Sequence, residues 1–464
     1  MSGAEAETRP AWKTYPFVLC PDDPELVFPG AEGDQGAESN TYYVAGRLVG
    51  RKTGRQWAFL TIFAYNNVRH RLRADFHTLA LFDLGTGEYG TFTEFDLPRP
   101  PRIRMSYKLS VARGYLDVSF RSAEGPSRWA TRRDAEGDLL PFEYELSVYG
   151  RDAAGRRMHL ELDLDPRKPP VPVGGEEYRG RKTCIGQYGT HSYFQSDVRF
   201  SGRLEWGEVS EEVEGDAGWI DRQWAPRQFG VHNDRRGTRY RHEWREIHLD
   251  NGLEMSVWVH FDRGRTNRVI PFTGATAVDR EARVRNTTEI EVEWLSFVRD
   301  PRQVRPLARL TEGPAYFGDR YRLRVPAWGL ELFSESIVPA PAHRLPIEYW
   351  SGPTRLRGSM EGRPVEGFGF YERTHVFARD FELVDVLRKS VRHLPESAVP
   401  RGALGPLEIA NRVWEIDAFL SHGDRKGALR YLGEEVRPHL ASVAEPYRGQ
   451  LLTIARDLET VLGG

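Results

Sequence analysis

Short segments in which apolar and polar residues alternate dominate this chain from Thr41 onward. The pattern is clear in "YELSVYG" and "MHLELDLDP", it returns in "TEIEVEWLSF", and turns separate such segments about every ten residues. Alternation at a period of two places successive side chains on opposite faces of a strand. Evenly spaced short strands without intervening helices favour a barrel or a sandwich. The sequence therefore predicts a mainly β protein.

The two ends of the chain depart from this pattern. The first residues carry Pro, Gly and acidic residues without a sustained period, which predicts an irregular arm that contributes little to the core. After Phe381, apolar residues recur at three- and four-residue steps, which predicts helices. The expected organisation is an arm over 1–39, a first barrel over 40–265, a second barrel over 266–380 and a helical tail over 381–464.

An apolar stripe runs along the predicted tail. Its residues are Ile409, Val413, Ile416 and Leu420, with Phe419 beside them. A stripe of this width is costly to leave in water. We therefore expect the tail to pack on a barrel or on a second copy of the chain, which would make the protein a homo-oligomer.

Charge and cysteine content exclude several classes of partner. The 464 residues contain 65 Lys and Arg against 67 Asp and Glu, a net charge of −2 that offers no basic field to nucleic acid. Cys20 and Cys184 are too few for a disulfide framework or a zinc site. No stretch reaches the roughly 18 consecutive apolar residues of a membrane span, and a signal peptide is not recognisable. We expect a cytoplasmic protein without metal, cofactor, nucleic-acid partner or membrane span.

The segment "WIDRQW" places two tryptophans, Trp219 and Trp224, around a charged core. Indole rings leave water readily, and two of them around charged residues suggest a lined pocket. In such a pocket Asp221 would have a raised pKa and could donate a proton, while the indole faces stabilise a carbocation. The competing interpretation is an ion pair between Asp221 and Arg222 that only fixes a loop.

A second polar and aromatic segment is "YRHEWREIHLDNG". If it is a strand, His242, Trp244, Glu246 and His248 share one face. That face could line a cavity, or it could be the solvated face of a half-exposed strand. His242 and His248 are too far apart for the two-histidine zinc motif on a helix. Elsewhere, His77 is expected to be a satisfied strand histidine.

The chain resembles the carotenoid 1,2-hydratase (hydroxyneurosporene synthase) family and its lipocalin-like relatives, which include Diels–Alderases. The resemblance extends from about Thr41 to Thr374 and rests on the order of "TYYVAGRL", "FHTLALFD", "SYFQSDVRFSG", "GWIDRQW", "HEWREIHLDNG" and "YWSGPTRLRGSMEGRPVEGFGFYERT". It implies two tandem lipocalin-like antiparallel β-barrels, with the ligand site in or between them. Trp350 and Glu372 then fall in the second barrel.

The central motif departs from that family at one informative position. Trp219, Asp221 and Trp224 match the family pattern, but Arg222 stands where a histidine is typical, and Ala225 replaces a glycine. Arginine stays protonated at working pH, so it cannot relay a proton as histidine does. Arg222 would instead anchor a carboxylate, phosphate or carbonyl group of a more polar substrate.

The leading hypothesis is an enzyme of isoprenoid or polyketide-like metabolism that protonates a double bond for hydration or cyclisation. Asp221 would donate the proton, and His242 or Glu246 would position water. The residues expected to contact the hydrophobic ligand are Trp219, Arg222, Trp224, Trp244, Trp258, Trp350, His77 and Glu372. Two alternatives stay open, namely a lipocalin-like carrier without catalysis and a pericyclase that only preorganises its substrate.

Overall fold

The computed structural model describes residues 10–69, 72–96, 108–184, 187–225, 240–262, 268–269, 273–300, 314–338, 350–373 and 377–463. Over these residues the chain is mainly β, with two large curled antiparallel sheets and a small helical C-terminal part. The predicted fold class is confirmed. The side chain of Cys184 lies outside the described part of the structure.

The strands of the first part of the chain are β1 (Phe17–Val18), β2 (Val27–Phe28), β3 (Ser39–Gly50), β4 (Gln56–Arg69), β5 (Leu72–Asp83), β6 (Tyr89–Asp96), β7 (Leu109–Val111), β8 (Asp117–Arg121), β9 (Pro126–Arg133), β10 (Leu139–Arg151), β11 (Arg157–Pro166), β12 (Val171–Pro172), β13 (Arg181–Cys184), β14 (Gln187–Trp206) and β15 (Val209–Ala225). The later strands are β16 (Tyr240–Leu249), β17 (Glu254–Asp262), β18 (Arg268–Val269), β19 (Gly274–Val278), β20 (Val284–Thr287), β21 (Glu291–Arg299), β22 (Tyr316–Val325), β23 (Leu330–Ser336), β24 (Trp350–Met360) and β25 (Arg363–Arg373).

The α-helices are α1 (Gly175–Tyr178), α2 (Asp380–Arg392), α3 (Pro406–Ser421), α4 (Arg425–Tyr431), α5 (Arg437–Ser442) and α6 (Tyr447–Gly463), with a π-helical turn at Leu432–Val436. Short 3-10 helices lie at Pro24–Leu26, Gly30–Glu32, Pro326–Trp328 and Glu396–Ala398. Within the described ranges, none of the helices is long and apolar enough to cross a membrane.

The chain divides into two compact units. The first contains residues 1–263, 268–288 and 367–371, and the second contains 264–267, 289–366 and 372–464. In the first unit, one sheet has the strand order β6-β5-β4-β3-β15-β14-β11-β10-β9-β8-β7, and further strands pair in the order β20-β19-β17-β16. In the second unit, β21 to β24 pair with their neighbours in sequence. The domain boundaries expected from the sequence stay predictions.

The alternation read from the sequence builds the core of the first unit. On β11, every second side chain from Met158 to Leu164 is buried, and the intervening residues are wholly or partly exposed. These side chains join one large cluster with aromatic residues such as Trp57, Phe59 and Trp129. Because the polar residues of β11 point away from that cluster, the sheet has one buried face here.

The expectation that the arm contributes little to the core is wrong. Leu26 and Phe28 are fully buried members of the same cluster, and Cys20 belongs to it as well. The Phe28 ring lies 4.9 Å from the ring of Tyr193 and 5.3 Å from that of Phe142. The arm is irregular, so its apolar residues follow no period, and a search for periodicity cannot detect their burial.

The predicted helical tail is confirmed, and it packs within the second unit. The stripe residues Ile409, Val413 and Ile416 are fully buried. Asp457 on α6 accepts hydrogen bonds from Arg299 Nε at 2.6 Å and from the hydroxyl of Tyr316 at 2.7 Å. These bonds join the last helix to strands β21 and β22, so the tail packs on the sheet of its own chain. Assembly with a second copy stays a prediction.

Candidate functional site

Strand β15 carries the "WIDRQW" motif, and strand geometry divides the motif between two faces. Ile220 and Trp224 belong to the core cluster of the first unit, and Arg222 lies on their side of the strand. Trp219 and Asp221 therefore lie on the opposite side. The expectation that Trp219, Asp221 and Trp224 line one pocket is wrong, because the two indoles stand on opposite faces of the sheet.

The Trp219 side of β15 packs against strand β16. The ring of Trp219 stacks on Phe194 at 4.4 Å and meets Trp244 edge-on at 6.0 Å. Tyr43, the cross-strand neighbour of Asp221, meets the same Trp244 ring at 5.4 Å. Trp219 also lies 5.7 Å from the ring of His248, with the two planes at 90°. These contacts place the two predicted motifs against each other.

We name this region the aromatic–histidine face. It consists of Tyr43, Phe194, Trp219, Asp221, His242, Trp244, Glu246 and His248. The four residues from β16 share one face, as predicted, and all four are buried. The competing interpretation of a solvated strand face is therefore wrong.

The face is buried but not sealed from solvent. Trp219 and Glu246 are fully buried, whereas Asp221 retains 9% exposure, His248 8% and His242 7%. Polar groups at such positions are desolvated and still lie at the margin of the accessible surface. A small molecule that reached them would meet aromatic walls, two imidazoles and carboxyl groups.

Strand β17 extends the face. Trp258 pairs directly with Trp244, and His260 pairs with His242, with their imidazole rings 6.2 Å apart. The indole nitrogen of Trp244 donates to Ser256 Oγ at 3.0 Å, which fixes the orientation of that ring. Trp258 and Trp244, both of which are predicted to contact the ligand, therefore lie side by side.

A buried ion pair lies at one end of the face. Glu254, the cross-strand partner of His248, pairs with Lys168 and accepts a hydrogen bond from Ser196 Oγ at 3.2 Å. Burial raises the pKa of Glu254 to about 7. Burial, together with Lys168 and Arg47, lowers the pKa of His248 to about 3. His248 is therefore neutral at neutral pH.

Arg222, on the other side of β15, is fully engaged by the protein. Nη2 donates to the carbonyl of Gly33 at 2.6 Å and to Asn40 Oδ1 at 3.2 Å. Nη1 donates to the carbonyls of Thr41 and Gln223, and Nε donates to that of Glu32. The guanidinium lies 3.6 Å from the centroid of the Tyr42 ring. All five N–H groups have acceptors in the chain, and two of these acceptors belong to the N-terminal arm.

The core of the first unit contains a carboxyl group that sequence reasoning missed. Glu32 is buried and accepts hydrogen bonds from the hydroxyls of Tyr15 at 2.9 Å and Tyr144 at 2.7 Å. Burial raises its pKa to about 7, although these hydrogen bonds and Arg222 act in the opposite direction. Its sequence context, "FPGAEGD", indicates only a polar turn, so no local signal identifies it.

The remaining predicted residues lie elsewhere. Trp224 stacks on His191 at 5.2 Å, and its N–H donates to Glu25 Oε2 at 3.0 Å. His77 is buried, with its ring 4.6 Å from that of Phe63 and its Nε2 3.3 Å from Thr61 Oγ1, and burial lowers its pKa to about 3.

Two predicted ligand contacts belong to the second unit. Trp350 is buried at the start of β24, and Glu372 is half-buried near the end of β25.

Across the described residues, no group of three His, Cys, Asp or Glu side chains is placed to hold a metal ion.

Comparisons with known proteins agree with this architecture. Residues 21–374 match the AttH-like family. The fold is similar to that of a protein from Nitrosomonas europaea provisionally described as AttH, with a TM-score of 0.57 and 18% identity over 77% of this chain and 98% of the other. It is also similar to kievitone hydratase from Nectria haematococca, with a TM-score of 0.50 and 15% identity over 72% and 88% of the two chains. No functionally curated protein matches the sequence.

These findings confirm the resemblance to carotenoid-hydratase-like lipocalin proteins. The family match includes the N-terminal arm from residue 21, β15 and β16, and it ends before the helical tail. Because it covers more than half of the 464 residues, the chain belongs to the AttH-like family.

Proposed function

We propose that this protein is a hydratase-type enzyme, which protonates a double bond of a largely apolar small molecule and adds water to it. Two kinds of observation support the proposal. The chain belongs to the AttH-like family, and a structure with the same fold is named as a hydratase. The observation that carries the proposal is the position of Asp221. It lies on the same side of β15 as Trp219, and its cross-strand neighbour is Tyr43; the rings of Trp219 and Tyr43 both contact Trp244.

The reaction needs an acid, a wall that tolerates positive charge, and a group that directs water. Asp221 donates a proton to one alkene carbon, which leaves a carbocation at the other carbon. The electron-rich faces of Trp219 and Trp244 stabilise that charge. Water directed by His242 or Glu246 attacks the cation, and the proton that it releases restores the acid. The sum of these steps is alkene plus water giving alcohol.

The proposal places the substrate at the aromatic–histidine face, outside the core of the first unit. That core is occupied by side chains, including those of Phe28, Tyr42, Trp129 and Trp224. A lipocalin-like carrier would need an open interior for its ligand. We therefore place the chemistry at the face, where the carboxyl and imidazole groups lie, rather than among the apolar side chains of this cluster.

Incorporation of labelled water tests the proposal. The purified protein is incubated with a panel of prenylated phenols, enones and polyenes in water enriched in heavy oxygen, and products are identified by mass spectrometry. We expect a product heavier than its substrate by one labelled water. A product of unchanged mass would indicate a pericyclase, and tight binding without any product would indicate a carrier; either result overturns the proposal.

Two variants separate the candidate water-directing groups. Glu246→Gln and His242→Phe each remove one of them. The variant that removes the group directing water should turn over about 100-fold more slowly, while its substrate affinity changes little. Asp216→Asn, which alters an exposed carboxylate on β15, is the control for both variants and should leave turnover unchanged.

A further inference from the structure

Two buried nitrogen atoms at the aromatic–histidine face have no hydrogen-bond partner in the part of the chain that the structure describes. They are the indole Nε1 of Trp219 and Nε2 of His248. Trp219 is fully buried and His248 is 8% exposed. The indoles of Trp57, Trp206 and Trp244 donate to side-chain oxygens, whereas the indole of Trp129, in the core of the first unit, also lacks a partner among the described residues. A buried N–H without an acceptor is costly, so such groups are rare away from functional sites.

The two nitrogen atoms belong to rings in direct contact. The centroids of Trp219 and His248 are 5.7 Å apart with perpendicular planes, and Phe194 and Trp244 pack against the same indole. An unmatched donor and an unmatched imidazole nitrogen therefore share one aromatic environment. Both nitrogen atoms are themselves buried, and the residual exposure here belongs to other atoms of His248 and to Asp221.

The surroundings of His248 keep it in one charge state. Lys168 and Arg47 both oppose protonation of the imidazole, and Lys168 is held by Glu254 and by the carbonyl of Gly252 at 3.2 Å. A neutral imidazole has one N–H donor and one acceptor nitrogen. It can therefore exchange a hydrogen bond with a neutral polar group, whereas it offers no charge to an anion.

We infer that Trp219 and His248 anchor a hydroxyl group of an otherwise aromatic or polyene substrate. The hydroxyl oxygen accepts a hydrogen bond from the indole N–H of Trp219. The same hydroxyl makes a second hydrogen bond with Nε2 of His248, as donor or as acceptor according to the tautomer of the imidazole. A pure hydrocarbon would leave both nitrogen atoms unsatisfied. The reaction that follows binding is the one given under the proposed function, on which this inference rests. The inference adds to it a class of substrate and a further substrate-binding residue, His248.

The anchor also sets the position of the double bond. Asp221 is two residues from Trp219 on the same side of β15, which corresponds to about 7 Å along a strand. A hydroxyl held by Trp219 therefore places an alkene about 7 Å away beside the proton donor. The substrate class is an unsaturated alcohol or phenol whose double bond lies at that distance from the oxygen.

Binding of a matched pair of probes tests the inference without any turnover. Naphthol and naphthalene differ only in the hydroxyl group, and their affinities are measured by equilibrium dialysis with the full-length protein. We expect naphthol to bind roughly tenfold more tightly than naphthalene, the scale of one or two neutral hydrogen bonds. Trp219→Phe and His248→Phe keep aromatic side chains and should each reduce the preference to about twofold or less, with naphthalene affinity nearly unchanged.

Trp57→Phe is the control, because it removes a buried indole N–H that bonds to Glu211, away from the face. It should leave the preference for naphthol unchanged. Equal binding of the two probes to the wild type, or a preference that survives both Trp219→Phe and His248→Phe, overturns the inference. If one variant fails to fold, the other decides. Because no chemistry is measured, loss of the probe preference is distinguishable from failure of the labelled-water experiment.

Discussion

Replacement of Glu32 by glutamine should change how the stability of this protein depends on pH. Glu32 is fully desolvated inside the first unit, where the hydroxyls of Tyr15 and Tyr144 bond to it. Its pKa is raised from 4.5 to about 7. The folded state therefore binds a proton more tightly than the unfolded chain does, and the resulting stability is fully present below pH 4.5.

The magnitude follows from the two pKa values. As pH rises from 4.5 to 7, the unfolded chain ionises while folded Glu32 stays protonated, so each pH unit costs about 1.4 kcal/mol. Over this interval the wild type loses about 3 kcal/mol of unfolding free energy through Glu32. Glu32→Gln cannot ionise, so it should lack this loss and gain about 3 kcal/mol relative to the wild type across the same range.

Urea unfolding at several pH values between about 4.5 and 7.5 measures the difference directly. Other titrating groups, such as His77 and His248, contribute equally to both proteins and cancel in the comparison. Glu208→Gln, at an exposed position, is the control and should show no pH-dependent difference from the wild type. A difference between Glu32→Gln and the wild type that is constant over this range would refute the reasoning.

Three further predictions concern the elements that support the site. A chain that starts at Ser39 lacks buried Leu26 and Phe28, so its Tm should fall by more than roughly 10 °C; an unchanged Tm by calorimetry would show that the arm is dispensable. Arg222→Lys keeps the charge but loses at least two of five hydrogen bonds, which should cost about 2–4 kcal/mol in urea unfolding, and a neutral effect would show that these bonds do not stabilise the fold. Deletion from Leu404 onward removes the partners of β21 and β22 and should cause aggregation, which light scattering detects. A soluble product with the same number of subunits as the full-length protein would contradict this.

The sequence was informative where the chain is regular. Period-two alternation identifies both the buried face of β11 and the shared face of His242, Trp244, Glu246 and His248. Three- and four-residue steps identify α2, α3 and α6 in the tail. In each case a repeating backbone geometry converts spacing along the chain into a direction in space, so the spacing alone is sufficient.

The motif "WIDRQW" shows how the same rule can be overlooked. Trp219 and Trp224 are an odd number of residues apart, so on a regular strand they point to opposite faces, as observed. The two residues look like a pair only when the segment is read as a loop. Recognising β15 as a continuous strand would have separated Trp219 and Asp221 from Arg222 and Trp224.

Other features carry no local signal. Glu32 and Phe28 lie in an irregular segment, and their burial depends on contacts with Tyr144 and Tyr193 far along the chain. The neutral state of His248 likewise depends on its burial and on Lys168, which is distant in sequence. Such pairings arise from the tertiary fold, and a single sequence contains no pattern that indicates them.

The most direct test of the central claim is the activity of Asp221→Asn per folded molecule, measured with its Tm, once the labelled-water experiment has identified a substrate. The substitution preserves volume and removes the acid. We predict that turnover falls by at least ~100-fold with nearly unchanged substrate affinity, while Asp216→Asn retains wild-type turnover. Full turnover of Asp221→Asn together with a lowered Tm would contradict the account, since it would make Asp221 a structural residue rather than the proton donor.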